Sequence, residues 1–198
     1  MHTKNRALLV AIACLGLAMW SAPHLWATDE TRQDILDQNS ADKIETQQDT
    51  TNAAHPDVPP PSFDDVLKRA EKGEAQAQHM LGRRYYFGDG VIQDREKAAA
   101  WQTRAANQGH ATAQYVLGLL YGAGEGVHRD TGKEVAWITR SANQGLAEAQ
   151  YALGMMYQAG EDVPQDSHKA AGLFSRAAAQ GHEEARRQLS GSAAQGRP

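Results

Sequence analysis

The 198-residue chain has one cysteine, Cys14, and only 7% aromatic residues. A single thiol cannot form an intramolecular disulfide framework or a cysteine-rich zinc site, so the fold must stand without covalent staples. Charge of one sign is also scarce. The 24 acidic residues face 20 basic ones, giving a formal net charge of −4 and a pI near 6.0. Without a concentrated Lys/Arg footprint, neither nucleic-acid binding nor non-specific attachment to an anionic membrane is expected. The apolar stretch Ala7 to Trp20 has 14 residues. At 1.5 Å per residue it covers about 21 Å of a hydrocarbon core about 30 Å thick.

The near-neutral total hides three compositions. Residues 1–27 carry Lys4 and Arg6 and no acid, followed by the apolar stretch and Leu25-Trp26-Ala27. This is the order of an export signal with a cleavage point after Ala27, which predicts a periplasmic or secreted protein with no membrane association after cleavage. Retention of 1–27 as a tilted anchor is the alternative, and would make the chain a subunit of an inner-membrane complex. Residues 28–61 hold eight acids and two bases, few apolar side chains (Ile35, Leu36, Ile44, Val58) and a closing Pro59-Pro60-Pro61 run. Such a segment buries too little apolar surface to offset its ordering entropy, so a disordered acidic, proline-rich linker is predicted, with Asp34-Ile35-Leu36 a candidate docking peptide. The other 137 residues balance 16 acids with 16 bases.

Those residues repeat. A shift of 36 superposes Gly73, Gly109, Gly145 and Gly181; Ala77, Ala113, Ala149 and Ala185; and Leu81, Leu117, Leu153 and Leu189. It also aligns Tyr85, Tyr121 and Tyr157; Asp94, Asp130 and Asp166; and Lys97, Lys133 and Lys169. One fixed period between 20 and 50 residues means a solenoid, whose units bury their apolar faces by stacking on neighbours.

Within a unit, Ala77, Leu81 and Tyr85 share one face of a first helix, A. Gly88-Asp89-Gly90-Val91 breaks it, Asp94 N-caps a second helix, B, and Gly109 stops that one. The expected architecture is all-α: three full repeats (73–108, 109–144, 145–180) within a solenoid spanning 62–190. Ser62-Phe63-Asp64-Asp65 opens a capping helix equivalent to B, and His182 to Leu189 forms a polar capping helix equivalent to A. Eight helices in all are expected, with a loose tail over 191–198. In the third copy Asp162 replaces a loop glycine and Leu173 stands where Trp101 and Trp137 do, so Phe174 is the expected substitute ring.

The string Ala-x-x-x-Leu-Gly-x-x-Tyr-x-x-Gly-x-Gly-Val, followed by Asp-x-x-Lys, an aromatic and Ala-Ala-x-Gln-Gly, resembles the Sel-one-like repeat (SLR), a relative of the tetratricopeptide repeat. The likeness covers Ser62 to Leu189. It implies a right-handed α-solenoid whose A helices line a concave face, and a protein–protein scaffold or adaptor rather than an enzyme. Residues of helix A opposite the Ala77-Leu81-Tyr85 face are then the candidate partner-binding set: His79, Arg83, Tyr86, Tyr115, Leu119, Tyr151 and Met155. Aromatics with an arginine at one end have the composition of binding hot spots. The competing reading is that the larger of these side chains fill contacts between repeats.

Enzyme signatures are sparse. No His-Glu-x-x-His, Gly-x-Ser-x-Gly or phosphate-loop string occurs, and Gly132-Lys133 reads as the first turn of a B helix. Ser40-Ala41-Asp42-Lys43 matches the Ser-x-x-Lys of penicillin-interacting enzymes but has no Ser-Asp-Asn or Lys-Thr-Gly companion. A cell-envelope hydrolase or β-lactam-interacting protein is thus the lesser alternative. The eight histidines do not cluster at ligand spacings, so no metal and no cofactor is expected.

Overall fold

The computed structural model describes residues 61–195. The expected signal segment 1–27, the linker up to residue 60, the Ser40–Lys43 match and residues 196–198 lie outside that span. Among the described residues eight helices follow one another: α1 Phe63–Glu71, α2 Ala75–Phe87, α3 Arg95–Asn107, α4 Ala111–Ala123, α5 Thr131–Asn143, α6 Ala147–Ala159, α7 Ser167–Ala179 and α8 Glu183–Gln195. No strand occurs among the described residues. The tightest packing is within the pairs α2–α3, α4–α5 and α6–α7, and each pair also packs on the helix before and after it. The A helices are α2, α4 and α6; the B helices are α3, α5 and α7.

The recurrence of Tyr, Asp and Lys in each copy has a mechanical reason. The Asp94, Asp130 and Asp166 amides donate to the carbonyls of Tyr85, Tyr121 and Tyr157 at 2.8, 3.0 and 2.9 Å, closing the A–B loop. Each aspartate side chain then accepts from the amide of Lys97, Lys133 or Lys169, capping the B helix. The same lysine ammonium lies over the tyrosine ring, 4.9–5.5 Å from its centroid. Those amide hydrogen bonds, aided by the ammonium, hold all three aspartate carboxyls below the usual range.

The two helices of a hairpin approach closely at Gly82, Gly118 and Gly154. A Cβ at Gly118 would stand 2.7 Å from Ile138 Cγ1 and 3.2 Å from the Glu134 carbonyl. Gly82 faces Gln102 and Gly154 faces Phe174 in the same way. Phe174 is therefore in register with Gln102 and Ile138, buried in the hairpin with its ring 5.7 Å from that of Tyr151. The expectation that it substitutes for the missing tryptophan is corrected: one residue is a 100° turn of the helix, which carries the ring to the inner face. Trp101 and Trp137 instead lie under Arg104 and Arg140, at 4.2 and 4.4 Å, and Arg176 finds Leu173 at the corresponding place.

Both ends are capped. Ser62 accepts from the Asp65 amide at 3.1 Å, and the ring of Phe63 meets Tyr85 edge-on at 6.1 Å. At the other end α8 runs on to Gln195, past the point where the loose tail was expected. Gly191 alone weakens a helix by only about 1 kcal/mol, and Ser192-Ala193-Ala194-Gln195 contains no proline to stop it.

Asp162 has φ 57°, the one left-handed non-glycine among the described residues. Its counterpart Gly126 has φ 66°. Replacing Asp162 by glycine removes a left-handed strain partly offset by a freer unfolded chain. The expected gain is about 0.5 kcal/mol, read as a small rise in the urea midpoint at unchanged m-value.

Candidate functional site

The A helices are walled in on most sides. Of the 13 residues of α4, only Val116, Tyr121 and Ala123 escape full burial. An A helix packs on its own B helix, on the preceding B helix and on neighbouring repeats. A wheel drawn with a single buried face therefore misjudges which side is left open.

The seven candidate residues divide accordingly. His79, Tyr86, Tyr115 and Leu119 are buried, whereas Arg83, Tyr151 and Met155 are half-buried. The buried four give a partner little area, and for two of them the contacts are explicit. The His79 ring stacks on His110, the N-cap of α4, with centroids 4.9 Å apart. The Tyr86 hydroxyl donates to Glu125 at 2.5 Å, and Arg95 pairs with the same carboxylate while lying over the Tyr86 ring. Tyr151 stacks on His182 at 4.6 Å, two junctions further on. In register between those two junctions, Tyr115 and Leu146 are both buried.

What stays accessible is a strip turned by about 50° from the expected one. It contains Met80, Arg83 and Phe87 on α2, Val116 and Ala123 on α4, and Ala152, Met155 and Ala159 on α6. Their spacings of three, four and seven residues place them on one side of each helix. Phe87 is 41% exposed, and Ile92 in the following loop 88%. Arginine occurs only in the first copy, where Arg83 and Arg84 occupy the positions of Leu119-Leu120 and Met155-Met156. The strip differs from copy to copy while the Ala-Leu-Gly-Tyr positions recur. That within-chain variation was a legible signal for Met80, Val116 and Ala152, which the sequence reading missed.

A second feature missed is a buried glutamine ladder. Gln78, Gln114 and Gln150 donate to the carbonyls of Ala70, Ala106 and Ala142, and accept from Gln108, Gln144 and Gln180 at 2.7, 2.6 and 2.9 Å. Each rung ties the end of one B helix to the next A helix and its own B helix. Gln114→Met removes both hydrogen bonds, although the Ala106 carbonyl keeps the Gly109 amide and Gln144 is exposed, so a loss of about 1 kcal/mol is expected in equilibrium urea unfolding.

The first junction pairs two histidines. His79 Nδ1 donates to Gln102 Oε1 at 2.9 Å, and His110 Nδ1 accepts from the Ala113 amide while Nε2 donates to Gln76. Burial, then the neighbouring His110, pushes the His79 pKa down to about 3; Arg83 adds to this and the Gln102 hydrogen bond opposes it. Among the described residues no group of three or more His, Cys, Asp or Glu is placed to hold a metal ion. No helix there is long and apolar enough to cross a membrane. Gly132-Lys133 lies in the first turn of α5, with the Lys133 amide bonded to Asp130.

The Sel1 repeat model matches residues 75–110, 111–146 and 147–182, the same 36-residue period framed two residues later than the sequence reading placed it. The chain belongs to the Sel1 repeat family. Members of the Sel1 repeat family are in general protein–protein interaction scaffolds and typically not enzymes. Among solved structures it is similar to c5321, a protective antigen present in uropathogenic Escherichia coli strains that displays an SLR fold. The identity is 40% over 65% of this chain and 28% of that one, with a TM-score of 0.63. The match to c5321 thus spans well under a third of that protein. It is also similar to a Sel1 repeat protein from Oxalobacter formigenes, with 39% identity over 65% of this chain and 96% of that one and a TM-score of 0.61. Cysteine-rich protein B of Helicobacter pylori, 20% identical over 64% of this chain and 94% of that one with a TM-score of 0.54, shares the fold. No curated protein matches the chain.

Proposed function

We propose that this Sel1 repeat protein is an exported adaptor that binds a partner protein along the accessible strip of its A helices. The observation that carries the reading is the strip itself. The same side is left open on α2, α4 and α6, its side chains change from copy to copy, and nearly every other position on α4 is buried. Methionines, a phenylalanine and an arginine on a rigid helical scaffold suit a protein interface, because a preformed surface loses little ordering entropy on binding. Export rests on the composition of residues 1–27, and the acidic segment 28–61 then acts as a tether. Of the original candidates, Arg83, Tyr151 and Met155 remain direct contacts; His79, Tyr86, Tyr115 and Leu119 hold the strip in shape.

The test is site-specific photo-crosslinking in the cell envelope, with probes at Val116 and Met155 and a control at the exposed loop residue Arg129. A dominant heterologous adduct from the strip and none from the loop is the expected result. Adducts from Arg129 alone would move the interface to the loops.

A further inference from the structure

We infer that Asp89-Gly90, in the first A–B loop, is a site of spontaneous covalent modification: it cyclises to a succinimide, reopens as isoaspartate and thereby unfastens that loop. Three observations support it. Asp89 is the only aspartate in the chain followed by glycine, and no asparagine is. Both residues are exposed, and among the described residues neither the Asp89 carboxylate nor the Gly90 amide makes a hydrogen bond or ion pair. Nothing lies within 4 Å of the place where a Cβ on Gly90 would stand, so no neighbouring group crowds the reacting nitrogen's residue. The equivalent pairs in the other copies are Glu125-Gly126 and Glu161-Asp162. A glutamate would have to close a larger, slower-forming ring, and Glu125 is in addition held by Tyr86 and Arg95. The chemistry is independent of what the strip binds.

The step needs no oxidant and no second substrate. The Gly90 amide nitrogen attacks the Asp89 carboxyl carbon; the N–Cγ bond forms, the Cγ–O bond breaks, and the amide proton leaves with the hydroxyl as water. Water then adds back to the ring. Cleavage of the Cγ–N bond restores aspartate, whereas cleavage at the α-carbonyl leaves Gly90 attached through the β-carboxyl. The main chain is then one methylene longer and carries the former α-carboxyl as a side group. That methylene enters a loop with little slack. Gly88 and Gly90 are left-handed at 77° and 69°, the Asp94 amide donates to the Tyr85 carbonyl at 2.8 Å, and Gln93 Nε2 donates to the Tyr86 carbonyl at 2.7 Å. The Gln93 and Asp94 contacts are the ones that give way, close in sequence to the exposed Phe87 of the strip.

The experiment incubates the purified full chain at physiological temperature and near-neutral pH for several weeks, then digests it with trypsin. The expected product is a second form of peptide 85–95, bounded by Arg84 and Arg95, with unchanged mass and a different retention time. A trace one water lighter should accompany it. An isoaspartyl methyltransferase with a labelled methyl donor should label this peptide, and electron-transfer fragmentation should place the change at Asp89 rather than Asp94. Asp89→Glu, which copies the other two loops, should fold and lose the product altogether; Gly90→Ala should lose most of it. In the isomerised fraction the Asp94 amide should exchange hydrogen faster than in the unmodified chain. No product under conditions in which the free peptide 85–95 converts, or equal label at Asp94, Asp130 and Asp166, overturns the assignment of the site. Equal exchange at Asp94 in both forms overturns the unfastening of the loop.

Discussion

Gly126→Ala is expected to cost about 3 kcal/mol and lower the melting temperature by roughly 10 °C. Gly126 has φ 66°, a conformation worth about 1–2 kcal/mol against an L side chain. Its added Cβ would also fall on the Arg95 carbonyl and stand 2.9 Å from the Glu96 amide. Those are backbone atoms at the start of α3, anchored by the Asp94 cap, and cannot turn aside as a side chain would. Around them Glu125 is held by Tyr86 and Arg95, so the second loop is clamped to the first hairpin. Gly90 provides the internal control: φ is 69°, but nothing lies within 4 Å of its Cβ position. Gly90→Ala should therefore show only the left-handed part, about 1 kcal/mol. Thermal melts of the two variants side by side measure the difference, and equal losses would show that the clamp onto α3 contributes nothing.

The contrast between these two glycines shows what the sequence could and could not reveal. The 36-residue period made the hairpins, their loops and the Asp94, Asp130 and Asp166 caps legible, because each follows from contacts within one unit. Side chains that meet across units were not. Gly90 and Gly126 are equivalent in sequence, yet only Gly126 faces the preceding hairpin closely. His79 was read as surface because a wheel sees one helix at a time, and the ring that stacks on it, His110, belongs to the next unit; His182 stacks on half-buried Tyr151 in the same way. Arg83 and Met155 lie at the edge of that expected face and stayed accessible; Met80, Val116 and Ala152 lie just beyond the same edge and were missed. The glutamine ladder recurs at the same offset, but polar residues in a repeat read as solvent-facing until their buried carbonyl partners are seen.

Acidification should loosen the first junction before the rest of the solenoid. His79 is held neutral with its pKa near 3, against 6.5 in an unfolded chain. Between those values the unfolded chain binds the extra proton, so the stability linked to His79 is complete above pH 6.5 and declines as pH falls toward 3. At pH 4.5 the loss from this one group is about 3 kcal/mol, a large share of the total stability of a small domain. The Asp94, Asp130 and Asp166 carboxyls, held below their ordinary 3.8, lose their contribution only at lower pH, so the two effects separate. The chain supplies its own non-titrating version of the junction: Tyr115, Ile138 and Leu146 occupy the places of His79, Gln102 and His110. The variant His79→Tyr, Gln102→Ile, His110→Leu should fold and should lose about 2–3 kcal/mol less than the parent between pH 7.5 and 4.5 in urea unfolding. Hydrogen exchange at pH 4.5 should show α2 opening more readily than α6 in the parent and not in the variant. An unchanged pH profile in the variant would mean that the acid sensitivity, if the parent has it, comes from groups other than His79 and His110.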